Sequence, residues 1–418
     1  MLFLALPYSF AQGQWKKIYE TDYSNYQPDI RNPITGLVFF GSDSGIIVLN
    51  KSIIFGKDTI PVLVTSYTID GGKNWHDRLA TTYPYGRGIA AFNINNIWLN
   101  NAPFIYHSTD GGFNWETDSV RDSLGYTIRS LYFLDSLNGV AGGGGMTMFR
   151  TSDGGKNWQR VHDPETDAAH YPIYYIAFSS TKDGIATTLD VGTWVLRTND
   201  GGFSWKFTTD IFTAVANRSY GLSYPDPRNA FLCDRNAIHH STDSGMTWHQ
   251  VGVLQPLGGY LRSIAFADSL HGIAEAITKY NQTDTMIFGY TSDGGISWRK
   301  VIIDSGGGSI GFTSFPDTNV AYAAGINAVY KLNIKELFVV SSQFINDFNL
   351  SLDGDHITIT IPSGFPGSVR IVDLLGHMIE QRSIGIDNKT QISLRGMPRQ
   401  LFIEVRSQNQ FKVFKVLH

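Results

Sequence analysis

Between residues 14 and 333 the chain alternates short apolar runs with polar punctuation, and the same order of runs keeps returning. One unit reads Ile128-Arg129-Ser130-Leu131-Tyr132-Phe133, Leu134-Asp135-Ser136-Leu137-Asn138-Gly139, Val140-Ala141-Gly142 and Met148-Phe149-Arg150. A later one answers with Leu261-Arg262-Ser263-Ile264-Ala265-Phe266, then Asp268-Ser269-Leu270-His271-Gly272 and Ile273-Ala274. Runs this short, bounded by Gly and Asp, predict antiparallel strands joined by tight turns. Each unit closes on the phrase Ser/Thr-x-Asp-x-Gly-x-x-Trp, written six times: Thr68 to Trp75, Ser108 to Trp115, Thr151 to Trp158, Thr198 to Trp205, Ser241 to Trp248 and Thr291 to Trp298. Its aspartates, Asp70, Asp110, Asp153, Asp200, Asp243 and Asp293, lie 40 to 50 residues apart. The phrase predicts a turn in which Asp bonds nearby amides, Gly supplies positive φ, and Trp opens the returning strand. Ser244 replaces a glycine in the fifth copy, so a negative φ is expected there.

Four strands per unit at this period define an all-β toroid, a β-propeller. After the sixth phrase, the stretch from Ile310 to Tyr322 repeats the first two strands and Ala328 to Leu332 supplies a third, with no turn phrase after it. Gln14-Trp15-Lys16-Lys17-Ile18-Tyr19 has the look of the missing fourth strand. The expectation is seven blades, the N-terminal strand closing the last one and removing the exposed edges. The pattern changes after residue 335. Strands around Ile357 to Ile361, Val369 to Val372, Thr390 to Leu394 and Leu401 to Val405, with no Trp, predict a small β-sandwich. The expected division is a leader over 1–11, a propeller over 12–335, a linker over 336–347 and a C-terminal domain over 348–418.

Composition narrows the function classes. A net charge of −4 gives no electrostatic footprint for nucleic acid. A single cysteine, Cys233, excludes an intrachain disulfide and reads as a buried small hydrophobe. The apolar run Met1 to Ala11, ending Ser9-Phe10-Ala11, resembles the apolar core and small-residue cleavage site of a secretory leader, but departs from it in having no Lys or Arg before the run, as a truncated leader would. No other stretch is long and apolar enough to span a membrane as a helix.

The repeated phrase resembles the Asp-box, or BNR repeat. The fuller body around it is most similar to the photosystem II stability/assembly factor-like branch of that fold. The resemblance implies the propeller but not an activity, since Asp-boxes occur in sialidases, xyloglucanases, sortilin-type receptors and assembly factors. The tail, with Asp373-Leu374-Leu375-Gly376, Leu394-Arg395-Gly396-Met397-Pro398 and a basic-apolar end at Phe414-Lys415-Val416-Leu417-His418, resembles the type IX secretion (Por) C-terminal sorting domain of Bacteroidetes. It departs from that family in lacking a Pro-Asn-Pro opening and in carrying Gln400 before Leu401-Phe402. The resemblance implies that the type IX secretion machinery is a partner of residues 348–418, and that the body is secreted or attached to the outer-membrane surface.

The box positions, from Asp70 with Trp75 through Asp110 with Trp115, Asp153 with Trp158, Asp200 with Trp205 and Asp243 with Trp248 to Asp293 with Trp298, read as structural. They sit at the outer edge of each blade and cannot converge. A propeller ligand site lies instead at the channel mouth. Counting four residues back from the aromatic of each innermost strand (Phe133, Phe178, Tyr224, Phe266) gives Arg129, Tyr174, Tyr220 and Arg262, with Arg87 one position out of register in the second blade. Guanidiniums and phenols on one ring suit a carboxylate or a sugar-like anionic ligand; water or neighbouring loops occupying the same positions is the alternative. Glycoside hydrolysis needs a carboxylate pair, for which the candidates are Glu275, expected at a cleft, and Asp190, between strands of the fourth blade. His107 and His240 share the repeat position before the box and read as ordinary strand residues, so no metal is assigned. The run Gly142 to Gly145 lacks the lysine and helix of a phosphate loop. No cofactor is expected. The sequence thus reads as an exported propeller that binds a protein or glycan ligand, with a glycoside hydrolase of sialidase-like or xyloglucanase-like type as the rival.

Overall fold

The computed structural model describes residues 15–21, 34–55, 58–81, 88–101, 104–119, 128–161, 172–188, 194–210, 219–253, 260–280, 283–302, 309–325, 327–334, 349–353, 356–360, 367–372, 378–384, 389–397, 400–407 and 410–417. Trp15–Ile334 form one compact unit, and Lys335–His418 belong to a second. The leader, the linker, Asp373 to His377 and Pro398 lie outside the described residues.

The first unit is a seven-bladed propeller of four-stranded antiparallel sheets. The innermost strands, in blade order, are Ile34–Phe39, Gly88–Ala91, Ile128–Phe133, Ile173–Phe178, Ser219–Ser223, Tyr260–Phe266 and Ser309–Asp317. Closure follows the expected route. Trp15–Glu20 pairs antiparallel with Ala328–Asn333, Trp15 opposite Leu332 and Glu20 opposite Ala328. The Trp15 ring lies 4.7 Å from Phe288 of the sixth blade, where the box tryptophans of the other blades meet their own neighbours.

A blade buries its faces only against its neighbours, and aromatic rings set the contact. Phe39 stacks on Tyr322 of the preceding blade at 3.4 Å, Phe133 on Trp98 at 3.6 Å and Phe266 on Phe231 at 3.5 Å. Each of these phenylalanines also covers a glycine at the start of its own second strand. A Cβ on Gly45, Gly139 or Gly272 would stand 2.4–2.6 Å from the ring, so a side chain there would eject it.

All six boxes repeat one hydrogen-bond scheme. In the first, the Thr68 hydroxyl donates to Asp70 Oδ1 and accepts from the Gly72 amide, while Asp70 accepts the backbone and side-chain N–H groups of Asn74. Asn114, Asn157, Ser204, Thr247 and Ser297 take the Asn74 role in the other copies. A polar residue immediately before Trp is therefore part of the motif, a requirement the eight-residue phrase left open. Ser244 is a correction: its φ is +65°, in the left-handed region its glycine counterparts occupy. Its amide donates to the Arg228 carbonyl, as Gly71, Gly111, Gly154, Gly201 and Gly294 donate to equivalent turns. That bond holds the turn in place against the backbone penalty.

Cationic side chains clasp neighbouring boxes. Arg150 lies over Phe203 and donates to the Gly201 carbonyl, Arg78 lies over Phe113 and donates to the Gly111 carbonyl, and Lys331 donates to the Ser42 carbonyl.

The second unit contains a three-stranded sheet (Asn349–Asp353, His356–Thr360, Lys389–Ser393) and a four-stranded one (Met378–Ile384, Gly367–Val372, Gln400–Ser407, Gln410–Leu417). Ile357, Ile359 and Ile392 from the first share a buried core with Val369, Ile371, Ile384, Ile403 and Val405 from the second. That is a small β-sandwich with three more strands than the sequence had suggested.

Removing the closing tryptophan, Trp15→Ala, is expected to cost about 3–5 kcal/mol, typical of a buried Trp truncation. The exposed Ile69→Ser change is expected to stay within about 0.5 kcal/mol. Urea unfolding followed by fluorescence measures both, and equal small losses would detach ring stability from this strand.

The boxes also set an acid response. Hydrogen bonds from the backbone and side chain of Asn114 hold the Asp110 carboxyl at about 2, and those from the Asn157 side chain and backbone do the same for Asp153. An unfolded carboxyl titrates near about 4. The folded pKa is depressed, so the stabilisation is whole above pH ~4 and drains away between ~4 and ~2. The urea midpoint should fall steeply across that window. The double variant Asp110→Asn, Asp153→Asn should be weaker at pH 7 and show a shallower acid limb.

Candidate functional site

The innermost strands do not begin as regular ladder. In blades 1, 3, 4, 5 and 6 the register slips between Ile34 and Gly36, Ile128 and Ser130, Ile173 and Tyr175, Ser219 and Gly221, and Leu261 and Ser263. The residues left unpaired are Thr35, Arg129, Tyr174, Tyr220 and Arg262. A bulge of this kind breaks the in-out alternation and re-aims a side chain. Four of the five sequence-derived ligand positions therefore occupy one structural device, repeated at the strand entry of consecutive blades. In blade 7 the slip spans Ser309 to Phe312, and Gly311 stands at the equivalent count.

Arg87 lies outside the described residues. In blade 2 Ala91 pairs with Ile97 as Phe133 pairs with Gly139 in blade 3.

Blades 3 to 6 form an arc of two arginines enclosing tyrosines. The Arg129 guanidinium lies 5.5 Å from the Tyr174 ring of the next blade, and Arg262 lies 5.5 Å from the Tyr220 ring of the preceding one. Each pair is within cation–π range. Arg129 Nε is buried and has no hydrogen-bond partner, as is Thr35 Oγ1. Tyr175 joins the arc although the count from the anchor passes over it. Burial raises its phenol above the ordinary tyrosine range, Cys233, Tyr220 and Tyr174 add to the rise, and Arg262 opposes it. The signal for it was available as the Tyr174-Tyr175 doublet, which straddles the bulge.

Beside the arc the lining turns small. Gly311 has φ +83°, and a Cβ there would come within 2.8 Å of the Arg262 carbonyl oxygen. The blade 7 backbone thus packs directly against that of Arg262, a contact that only glycine permits.

The carboxylate candidates do not join this arrangement. Glu275 is fully buried in the second strand of blade 6, with Ser263 and Phe288 as its Cα partners, and not at a cleft as expected. Apolar neighbours Ala274 and Ala276 are equally buried, so the whole segment packs between blades. Asp190 lies outside the described residues. His107 stacks on Trp98 and His240 on Phe231, and His240 also bonds Asn229. His239 meets the buried Asp234 at 3.1 Å. Cys233 is fully buried, and Gly144–Met146 form a single 3-10 turn. Among the described residues no helix is long and apolar enough to cross a membrane.

No family model matches the chain. It is 34% identical over 125 residues to the photosystem II assembly lipoprotein Ycf48 of Synechococcus sp. (strain CC9902), which covers 29% of this chain and 36% of the relative. The aligned segment thus spans about a third of that protein. Among solved structures, YCF48 bound to D1 peptide superimposes with a TM-score of 0.57 at 16% identity, over 78% of this chain and 99% of that one. The GH74 xyloglucanase of Xanthomonas campestris gives 0.58 at 12% identity, over 96% of this chain and 75% of its own. Both structural likenesses establish the propeller fold, shared by a binding protein and a glycosidase.

Gly311→Ala should cost about 1–2 kcal/mol from the left-handed backbone alone. Gly88→Ala, where a Cβ meets nothing within 4 Å and φ is not positive, should be near neutral. Parallel urea titrations compare the two; equal responses would contradict the close approach to Arg262.

Proposed function

We propose that the chain is an exported binding protein whose arc of Arg129, Tyr174, Tyr220 and Arg262 captures a carboxylate-bearing segment of a protein or glycan, without chemistry of its own. One observation carries the reading: the Arg129 Nε is buried at the strand-entry bulge with no hydrogen-bond partner among the described residues. A buried donor left unpaired costs about 1–3 kcal/mol, and an incoming carboxylate removes that cost while gaining a charge-assisted bond. The burial of Glu275 argues against the hydrolase rival. The D1 peptide held by YCF48, a propeller of the same fold, favours a peptide over a sugar as the ligand.

The residues 348–418, through their resemblance to type IX sorting domains, would carry the propeller across the outer membrane, to be released or held at the surface. Deleting them should leave the protein in the periplasm; arrival outside the cell without them would overturn this part of the reading.

Binding is tested with a fluorescein-labelled peptide library bearing free terminal carboxylates, its amidated counterpart, and an array of acidic and neutral glycans. Saturable binding of a carboxylate-bearing probe is expected, weakened about 10- to 100-fold by Arg129→Ala or Arg262→Ala, as loss of a charged hydrogen bond predicts. Affinity unchanged in the double variant would overturn it. So would turnover of a polysaccharide abolished by Asp190→Asn.

A further inference from the structure

The entry side of blades 5 and 6 carries a second arginine–tyrosine pair outside the arc. The Arg235 guanidinium lies 3.8 Å from the centroid of the Tyr260 ring, and both side chains are exposed. Their placement is built. Asp234, almost completely buried, accepts the amides of Asn236 at 2.6 Å and Ala237 at 2.8 Å through one oxygen and meets His239 with the other. The turn holding Arg235 is thereby fixed before any ligand arrives. The Arg235 carbonyl then accepts the Leu261 amide at 3.0 Å, tying this turn to the residue just before Arg262.

Tyr260 and, at the bulge, Arg262 are both exposed while Leu261 between them is buried, so both are open to solvent at the entry of this strand. Two strand positions span roughly 6.6 Å. An extended peptide repeats its same-side side chains at the same interval. A cation–π contact with a tyrosine face does not use the N–H groups of a guanidinium, which keep the fork that matches a carboxylate. Among the described residues Arg235 has no ion-pair partner, its neighbour Asp234 being committed to the turn and His239.

We infer that Arg235, braced on Tyr260, is a second anion-binding position one peptide repeat outward from Arg262. The entry rim of blades 5 and 6 then selects an extended acidic peptide with carboxylates two residues apart. This rests on the arc being the ligand site and adds what decides among its ligands.

The test uses two fluorescein-labelled peptides with the same terminal carboxylate, one carrying glutamate and the other glutamine two residues earlier, read by anisotropy on the full chain. The wild type should prefer the glutamate peptide about tenfold. Arg235→Gln should bring that preference to about one, and Tyr260→Leu, which removes the brace, should reduce it. Arg129→Ala should weaken both peptides alike and keep the ratio. Thermal melts of each variant within 2–3 °C of wild type (a shift of order 1 kcal/mol or less) confirm that the fold is intact. A preference that survives Arg235→Gln would overturn the inference, as would equal binding of both peptides to the wild type, and the latter leaves the arc standing. Failure of either peptide to bind the wild type would overturn the arc and this position together.

Discussion

A four-stranded sheet of this size cannot bury both faces by itself, and every feature of the propeller follows from how each sheet borrows its neighbour. The flat stacks of Phe39 on Tyr322, Phe133 on Trp98 and Phe266 on Phe231 repeat that contact at one height in the ring. Glycine beneath each ring is a condition of the contact, because a Cβ there would occupy the ring's own place. Repetition of one contact fixes one pitch, and one pitch brings the last blade back to the first. The pairing of Trp15 with Leu332 then satisfies an edge that would otherwise recruit another chain.

Much of this was legible because it is written in repeats. The aspartate turns were readable from a phrase recurring six times, and the closing strand from a lone Trp-led run with no turn before it. The bulge positions were found by counting back from Phe133, Phe178, Tyr224 and Phe266, although their cause was not visible. A register slip is a main-chain event, and neither Arg129 nor Tyr174 announces it. Tyr175 escaped because alternation predicts that it faces away from Tyr174, and a bulge suspends alternation. Ser244 was misread for a different reason. The turn is secured by the Arg228 carbonyl and by Asp243, and together they hold a serine where intrinsic preference calls for glycine.

Glu275 shows the limit of reading chemistry from residue type. A glutamate in Gly272-Ile273-Ala274-Glu275-Ala276 looks out of place among small apolar neighbours, which invites a catalytic role. The same neighbours are what bury it. Enclosed between sheets, Glu275 lies away from the solvent-exposed surface.

Arginine occupies two settings in the ring. On the side of the boxes, Arg78 and Arg150 lie over Phe113 and Phe203, and both spend their N–H groups on box carbonyls of the next blade. Lys331 donates to the Ser42 carbonyl and, at 3.5 Å, to the box carbonyl of Gly71. Those cations are structural because their donors are consumed. On the entry side, Arg129, Arg262 and Arg235 lie over Tyr174, Tyr220 and Tyr260. A ring contact leaves the guanidinium N–H groups unused, and among the described residues none of these three meets a carboxylate. The aromatic partner is common to both sides, and the difference lies in what the edge finds. A repeat fold makes the comparison internal: one chain carries both arginines that donate to box carbonyls and arginines set beside tyrosines at the strand entries.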